Sequence, residues 1–143
     1  MRGKLLIGPM SALLLRPRVV HRLPGRLRVR IPALKRLARG CRPAELSWRE
    51  LRLGPHRIPE IAVNLTTGSL LIRYRPEELT EAELLGFLRA VSRLALGHWN
   101  RFRGLPKERR AVALQRLAQA VGRATRPRLA LEDDLEIPED VWA

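Results

Sequence analysis

The strongest constraint on the fold is the strict alternation of arginine with aliphatic residues at positions 26–31. Successive residues of a strand point to opposite faces, so this pattern predicts a strand with one buried face and one arginine face. Its predicted buried residues are Leu27, Val29 and Ile31. We predict a first strand over residues 19–31, with an irregularity where Pro24 and Gly25 interrupt it.

A second alternating pattern predicts a β-hairpin. Apolar residues alternate at 61–65, residues 66–69 have turn composition, and alternation resumes at 70–75. Leu70, Ile72 and Tyr74 are predicted to face the core. Arg73 and Arg75 then lie on the opposite face of the sheet.

Helical patterns flank this hairpin. A short helix is predicted over residues 43–53. Pro43 suits an early helical position, and Leu46 and Leu51 are its apolar anchors. Thr80 and Glu83 form a capping box that opens a second helix, and a third is predicted over 106–124. The order indicates an α+β, ferredoxin-like βαββαβ sandwich with a C-terminal helical extension. A short strand at 128–131 is predicted to complete the sheet.

The chain divides into four predicted parts. They are an apolar and basic extension (1–17), the ferredoxin-like domain (18–97), an amphipathic helical region (98–127) and an acidic tail (128–143). The apolar run at 5–15 is shorter than the roughly 20 residues that span a bilayer, and Pro9 interrupts it. This favours a packed or disordered extension over a signal peptide or anchor. The single cysteine, Cys41, suits a reducing compartment, so we expect a cytoplasmic protein, with peripheral membrane contact as the alternative.

Charge is distributed unevenly along the chain. The net charge is +14, yet only three of the 28 basic residues are lysine, a bias that GC-rich codons also produce. The last twelve residues contain six of the fourteen acids and no base. Leu135, Ile137 and Trp142 are spaced among these acids, which predicts a docking tail. The alternative is a frayed terminus.

The arginines of the alternating strands form the best candidate site. If the two strands are neighbours, one face of the sheet carries Arg26, Arg28, Arg30, Arg73 and Arg75. Guanidinium groups bind carboxylates and phosphates, so this face is predicted to bind an anion or a partner. The alternatives are a solvated face and one covered by the C-terminal extension. Base stacking is not expected, because the only tyrosine, Tyr74, is predicted to point inward.

Part of the chain resembles the heavy-metal-associated domain family of copper chaperones and metal-transporting P-type ATPases. The resemblance rests on residues 21–32, 58–64 and 67–74 and on the helix after Thr80, and it is closest to the cysteine-less branch. It implies a ferredoxin-like fold and a docking or regulatory module. Metal-binding members use a Cys-x-x-Cys after the first strand, whereas residues 32–36 contain no cysteine. Neither a metal site nor a cofactor is therefore carried over.

The sequence predicts a non-catalytic binding or adaptor module that acts through protein contacts. It contains no phosphate loop, nucleophile elbow, paired-carboxylate site or dinucleotide fingerprint. One alternative is a nucleic-acid or anionic-membrane binder that uses the arginine face. Another is an accessory metal- or haem-handling protein in which histidine (His21, His56 or His98) replaces the lost cysteines. Association of the chain with a second copy is also left open.

Overall fold

The fold is taken from a computed structural model, which describes residues 16–37, 45–124 and 137–143. These residues form a five-stranded antiparallel sheet in the order β1-β2-β5-β4-β3, with helices on one face. The strands are β1 (Arg18–Leu23), β2 (Arg26–Arg30), β3 (Glu45–Leu53), β4 (His56–Asn64) and β5 (Ser69–Arg73). The helices are α1 (Pro32–Leu37), α2 (Glu81–Gly97), α3 (Trp99–Gly104), α4 (Lys107–Ala124) and a 3₁₀ helix at Glu139–Trp142.

The predicted ferredoxin-like βαββαβ sandwich is wrong. The five strands come first, as one hairpin followed by a three-stranded meander, and three of the four α-helices follow them. The fold implied by the resemblance to heavy-metal-associated domains is therefore also wrong. The predicted strand at 128–131 and residues 1–15 of the N-terminal extension lie outside the described residues.

Residues 43–53 were predicted to be helical, but β3 occupies most of this segment. Glu50 has a left-handed backbone conformation, with φ of 54°, which reverses the alternation along the strand. As a result Trp48 and Leu51, three positions apart, both face the core, opposite Ile61 and Ile58 of β4. A spacing of three between buried residues imitates a helix, which is why the pattern misled the prediction.

The predicted first strand is in fact a hairpin. Pro24 and Gly25 form the turn between β1 and β2, and Gly25 has a φ of 76° that favours glycine. Its carbonyl oxygen also accepts a hydrogen bond of 3.1 Å from the backbone N–H of Tyr74. The irregularity lies instead within β1, where the pairing with β2 shifts between Val19 and His21.

Three local predictions are confirmed. β4 and β5 form the predicted hairpin, and the side chain of Asn64 accepts the backbone N–H groups of Thr66 and Thr67 in the turn. The capping box is present: the Glu83 N–H donates to Oγ1 of Thr80 at 3.1 Å, and the Thr80 N–H donates to Oε1 of Glu83 at 2.8 Å. The third predicted helix is α4.

The hydrophobic core lies between the sheet and the helices. Leu27 and Val29 of β2 and Ile72 of β5 are 0% exposed, as predicted for the arginine-bearing strands. Helix α4 contributes Leu117, also 0% exposed, so it belongs to this core. It approaches β3 closely at Gly122, whose carbonyl oxygen accepts the Gly54 N–H at 3.0 Å.

A candidate partner-binding face

The open face of the sheet, opposite the helices, is organised in three cross-strand rows. Residues that pair directly across antiparallel strands point to the same face, so the strand register defines each row. From β1 to β3 the rows are Arg18-Arg30-Ser69-Asn64-Glu45, His21-Arg28-Leu71-Ala62-Ser47 and Leu23-Arg26-Arg73-Glu60-Arg49. The first two strands contribute four arginines and a histidine to this face. We call the part of the open face formed by β1 and β2 the basic half.

The arginines of β2 have no acidic neighbour across either flanking strand. Arg26 lies between Leu23 and Arg73, Arg28 lies between His21 and Leu71, and Arg30 lies between Arg18 and Ser69. All three β2 arginines are exposed, and none forms an ion pair with an acid of the described residues. Their guanidinium groups therefore present unused donors and uncompensated charge to solvent.

The other two predicted site residues are in different situations. Arg73 extends the arginine cluster onto β5, directly opposite Arg26, but its Nε lies 3.8 Å from Oε1 of Glu60. Arg75 follows the end of β5 and lies 3.5 Å from Oε2 of Glu78. The structure thus brings together Arg26, Arg28, Arg30 and Arg73, whereas Arg75 is held in a local ion pair outside the strand.

The far half of the open face has mixed charge, because Arg49 of β3 lies beside Glu60 of β4. Glu60 and Glu45 lie on β4 and β3, and Glu60 also accepts a hydrogen bond of 2.8 Å from the hydroxyl of Ser47. Leu71 and Ala62, both partly buried, continue the middle row beyond Arg28, whereas Glu60 lies directly beside Arg73. The three rows contain no Phe, Tyr or Trp, so this face lacks aromatic side chains for base stacking.

Sequence reasoning missed Arg18 and His21 as members of this face. It treated residues 19–31 as one strand, so it did not place a second strand beside the arginines of β2. The Pro24-Gly25 pair is the signal that identifies them, because this pair favours a tight turn and therefore a hairpin.

The described end of the acidic tail packs on the helices. Trp142 is 9% exposed; its ring contacts Phe102 at 4.9 Å between centroids, and the Arg101 guanidinium lies 4.8 Å from its centroid. Glu139 accepts a hydrogen bond of 3.2 Å from Arg101, and Ile137 packs against the core. These residues lie on the helical layer and not on the open face; Leu135 lies outside the described residues.

The histidines do not converge. His21 lies on the open face, His56 is 3.8 Å from Glu78, and the His98 ring is 3.0 Å from the carbonyl oxygen of Leu94. Over residues 16–37, 45–124 and 137–143, no group of three or more His, Cys, Asp or Glu side chains is arranged to hold a metal ion. Within those residues the three histidines therefore do not combine into a metal site.

A small cavity lies between the sheet and the helices. Its volume is about 40 Å³, and its lining is mostly apolar and includes Trp48, Ser92 and Trp99. This is room for a few water molecules, and well below the roughly 150 Å³ that accommodates benzene. The indole N–H of Trp48 is buried without a hydrogen-bond partner in the described part of the chain.

Two wider findings complete the description. None of the described helices is long and apolar enough to cross a membrane. Comparison of the chain with family models, with curated proteins and with solved structures gave no match.

Proposed function

We propose that this protein is a non-catalytic binding module that docks on an acidic protein segment through the basic half of its open face. The observation that carries the proposal is the environment of Arg26, Arg28 and Arg30: they are exposed, neither neighbouring strand carries an acid, and none pairs with an acid of the described residues. Carboxylates are well suited to such donors, because they accept paired N–H groups from a guanidinium.

The width of the basic half supports a narrow partner. It consists of two neighbouring strands about 5 Å apart. A broad polyanion that covered all five strands would also meet the carboxylates of Glu60 and Glu45. Arg49 of β3 is the only arginine of the three rows on β4 and β3, so the far half lacks the continuous positive charge of the basic half. A single extended acidic chain fits this half without reaching those carboxylates. For this reason we favour a protein segment over duplex nucleic acid or an anionic membrane.

The described end of the tail, residues 137–143, does not lie on the basic half. Ile137–Ala143 contacts α3 and α4, and its acidic Glu139 is paired with Arg101. Within the described residues, no segment of the chain lies over Arg26, Arg28 and Arg30.

The test compares two triple variants with the same loss of charge. One replaces Arg26, Arg28 and Arg30 by glutamine, and the matched control replaces Arg89, Arg93 and Arg109, which are exposed on α2 and α4. The probes are a labelled octaglutamate peptide, a duplex DNA and vesicles with anionic lipid, titrated at several salt concentrations. We expect the first variant to bind octaglutamate about tenfold more weakly than the wild type, equivalent to about 1.4 kcal/mol.

The control should retain wild-type affinity, because its arginines lie on the helices. Equal losses in both variants would show that net charge alone drives binding and would contradict the proposal. The protein could instead bind DNA or vesicles more tightly than the peptide and lose that affinity in the β2 arginine variant. This result would identify the partner as a nucleic acid or a membrane.

A further inference from the structure

We propose that the acidic partner segment docks as an added sixth strand at the outer edge of β1. This inference rests on the proposed function and specifies how the partner binds. β1 is an edge strand, and in the described part of the chain no strand pairs with its outer side. Such an edge offers a row of backbone donors and acceptors to an extended peptide.

The side chains of β1 are unusually exposed for a strand. Five of its six residues are exposed, and only Val19 is partly buried. Val20 and Leu23 are 53% and 48% exposed, and the only other large apolar side chain this exposed among the described residues is Val112 on α4. Two of the three exposed apolar side chains therefore lie on this one edge strand, where a docking peptide would cover them.

The spacing of charge fits an extended acidic peptide. Side chains on one face of a strand recur every two residues, about 6.6 Å apart. An added strand has the same period, so acids at alternate positions would fall on the open face beside His21 and Leu23, with Arg28 and Arg26 one strand further in. Opposite charges directly across neighbouring strands stabilise pairing.

The same charges disfavour a second copy of the chain as the occupant. Pairing β1 with another β1 would bring Arg18, His21 and Arg22 close to an equally basic strand, and like charges across strands destabilise it. Only Arg22 is compensated, since Glu81 accepts two hydrogen bonds from its guanidinium at 3.0 and 2.9 Å. An acidic chain is thus the complementary occupant.

The irregularity of β1 limits the length of the added strand. The pairing shift between Val19 and His21 bends the strand, and such bulges protect edges from continuous pairing with other chains. Regular pairing is therefore expected mainly along His21, Arg22 and Leu23. This length suits a short docking segment.

Backbone methylation of a peptide provides the decisive test. The N–H groups of alternate residues in a strand point to the same edge, so methylating every second nitrogen blocks one edge only. The probe is a labelled eight-residue peptide of alternating glutamate and valine. Two further versions are methylated at the backbone nitrogens, one at every glutamate and the other at every valine. We expect one methylated version to bind about tenfold more weakly and the other to bind like the parent, because only one edge of the peptide pairs with β1.

Variants of the protein locate the contact. Val20→Ser with Leu23→Ser should weaken binding of the unmethylated peptide, whereas Val112→Ser, at a similarly exposed position, should not. The edge proposal would be overturned if the parent and both methylated peptides bound with equal affinity and only the β2 arginine substitutions lowered that affinity. The proposed function would still stand. Absence of binding of any acidic peptide, even at low salt, would overturn both.

Discussion

The two faces of the sheet are built from the same strands but have opposite properties. On the covered face, Leu27, Val29 and Ile72 are inaccessible to solvent, and burial of such side chains contributes roughly 1.5–3 kcal/mol each. On the open face, the intervening residues of β2 are exposed arginines that form no ion pair with any acid of the described residues. Stability is therefore concentrated on one face, and the other is free to serve binding. The following substitutions test this separation.

The largest difference is expected between adjacent residues of β2. Val29→Asp places a carboxylate in the core without a partner and should unfold the protein, as measured by circular dichroism. Arg28→Asp, one position earlier on the open face, should leave the protein folded. A folded Val29→Asp variant would show that the covered face does not hold the fold together.

The next largest effect is expected at Gly122. A β-carbon there would overlap the backbone carbonyl oxygen of Arg52, so Gly122→Ala must separate α4 from β3. We expect a loss of at least about 3 kcal/mol in the free energy of unfolding. Gly86→Ala on α2 is the control: nothing lies within 4 Å of its added carbon, and helix propensity predicts a gain of about 0.5–1 kcal/mol. Similar behaviour of the two variants in urea unfolding would refute the close approach.

Trp142 tests whether the far side of the helices contributes to stability. Trp142→Ala removes a ring packed on Phe102 and Arg101 and should cost about 2 kcal/mol, whereas Trp142→Phe should recover part of that loss. In a variant with Trp48 and Trp99 replaced by phenylalanine, Trp142 emission should be blue-shifted and independent of salt. Emission typical of solvated tryptophan would show that the tail is released.

The smallest effect is expected at the edge of the covered face, where Arg22 contacts Glu81. Hydrogen bonding from the Arg22 guanidinium lowers the pKa of Glu81 below its usual value. A lowered pKa in the folded state stabilises the protein above the ordinary carboxyl pKa, and this stabilisation is lost as the pH falls through the lowered pKa. The melting temperature of the Glu81→Gln variant should therefore be slightly below that of the wild type at pH 7, and this difference should vanish in acid. In an Arg22→Gln background the same substitution should have less effect at pH 7.

Local patterns predicted those elements whose signals were complete within a few residues. The part of β4 that pairs with β5 has a regular period of two and is followed by a turn sequence, and the Thr80 and Glu83 pair is a self-contained cap. The arginine cluster of β2 and β5 was predictable because strict alternation assigns each side chain to a face. The pairing of β2 with β5, which places Arg26 opposite Arg73, is established only by the sheet itself.

The rest depended on backbone conformations that side-chain patterns do not encode. The left-handed Glu50 changes the face to which β3 residues point, so a strand had the spacing of a helix. Because β3 was assigned to a helix, the predicted topology was wrong. The close approach at Gly122 was likewise invisible in sequence, since it is set by the position of Arg52, 70 residues away.

The pairing of β2 with β5 has a consequence for how the chain reaches this structure. The other three ladders are closed by loops of two to four residues, whereas β2 and β5 join residues 39 to 47 positions apart. Closing a long loop costs more chain entropy, so this central seam is expected to form after the local hairpins have appeared. The seam should then be the kinetic bottleneck of folding: weakening it with Leu70→Ala should slow refolding in stopped-flow measurements more than an equally destabilising change in β3. Until the seam closes, the apolar faces of the first hairpin and of the three-stranded meander remain exposed as separate aggregation-prone surfaces.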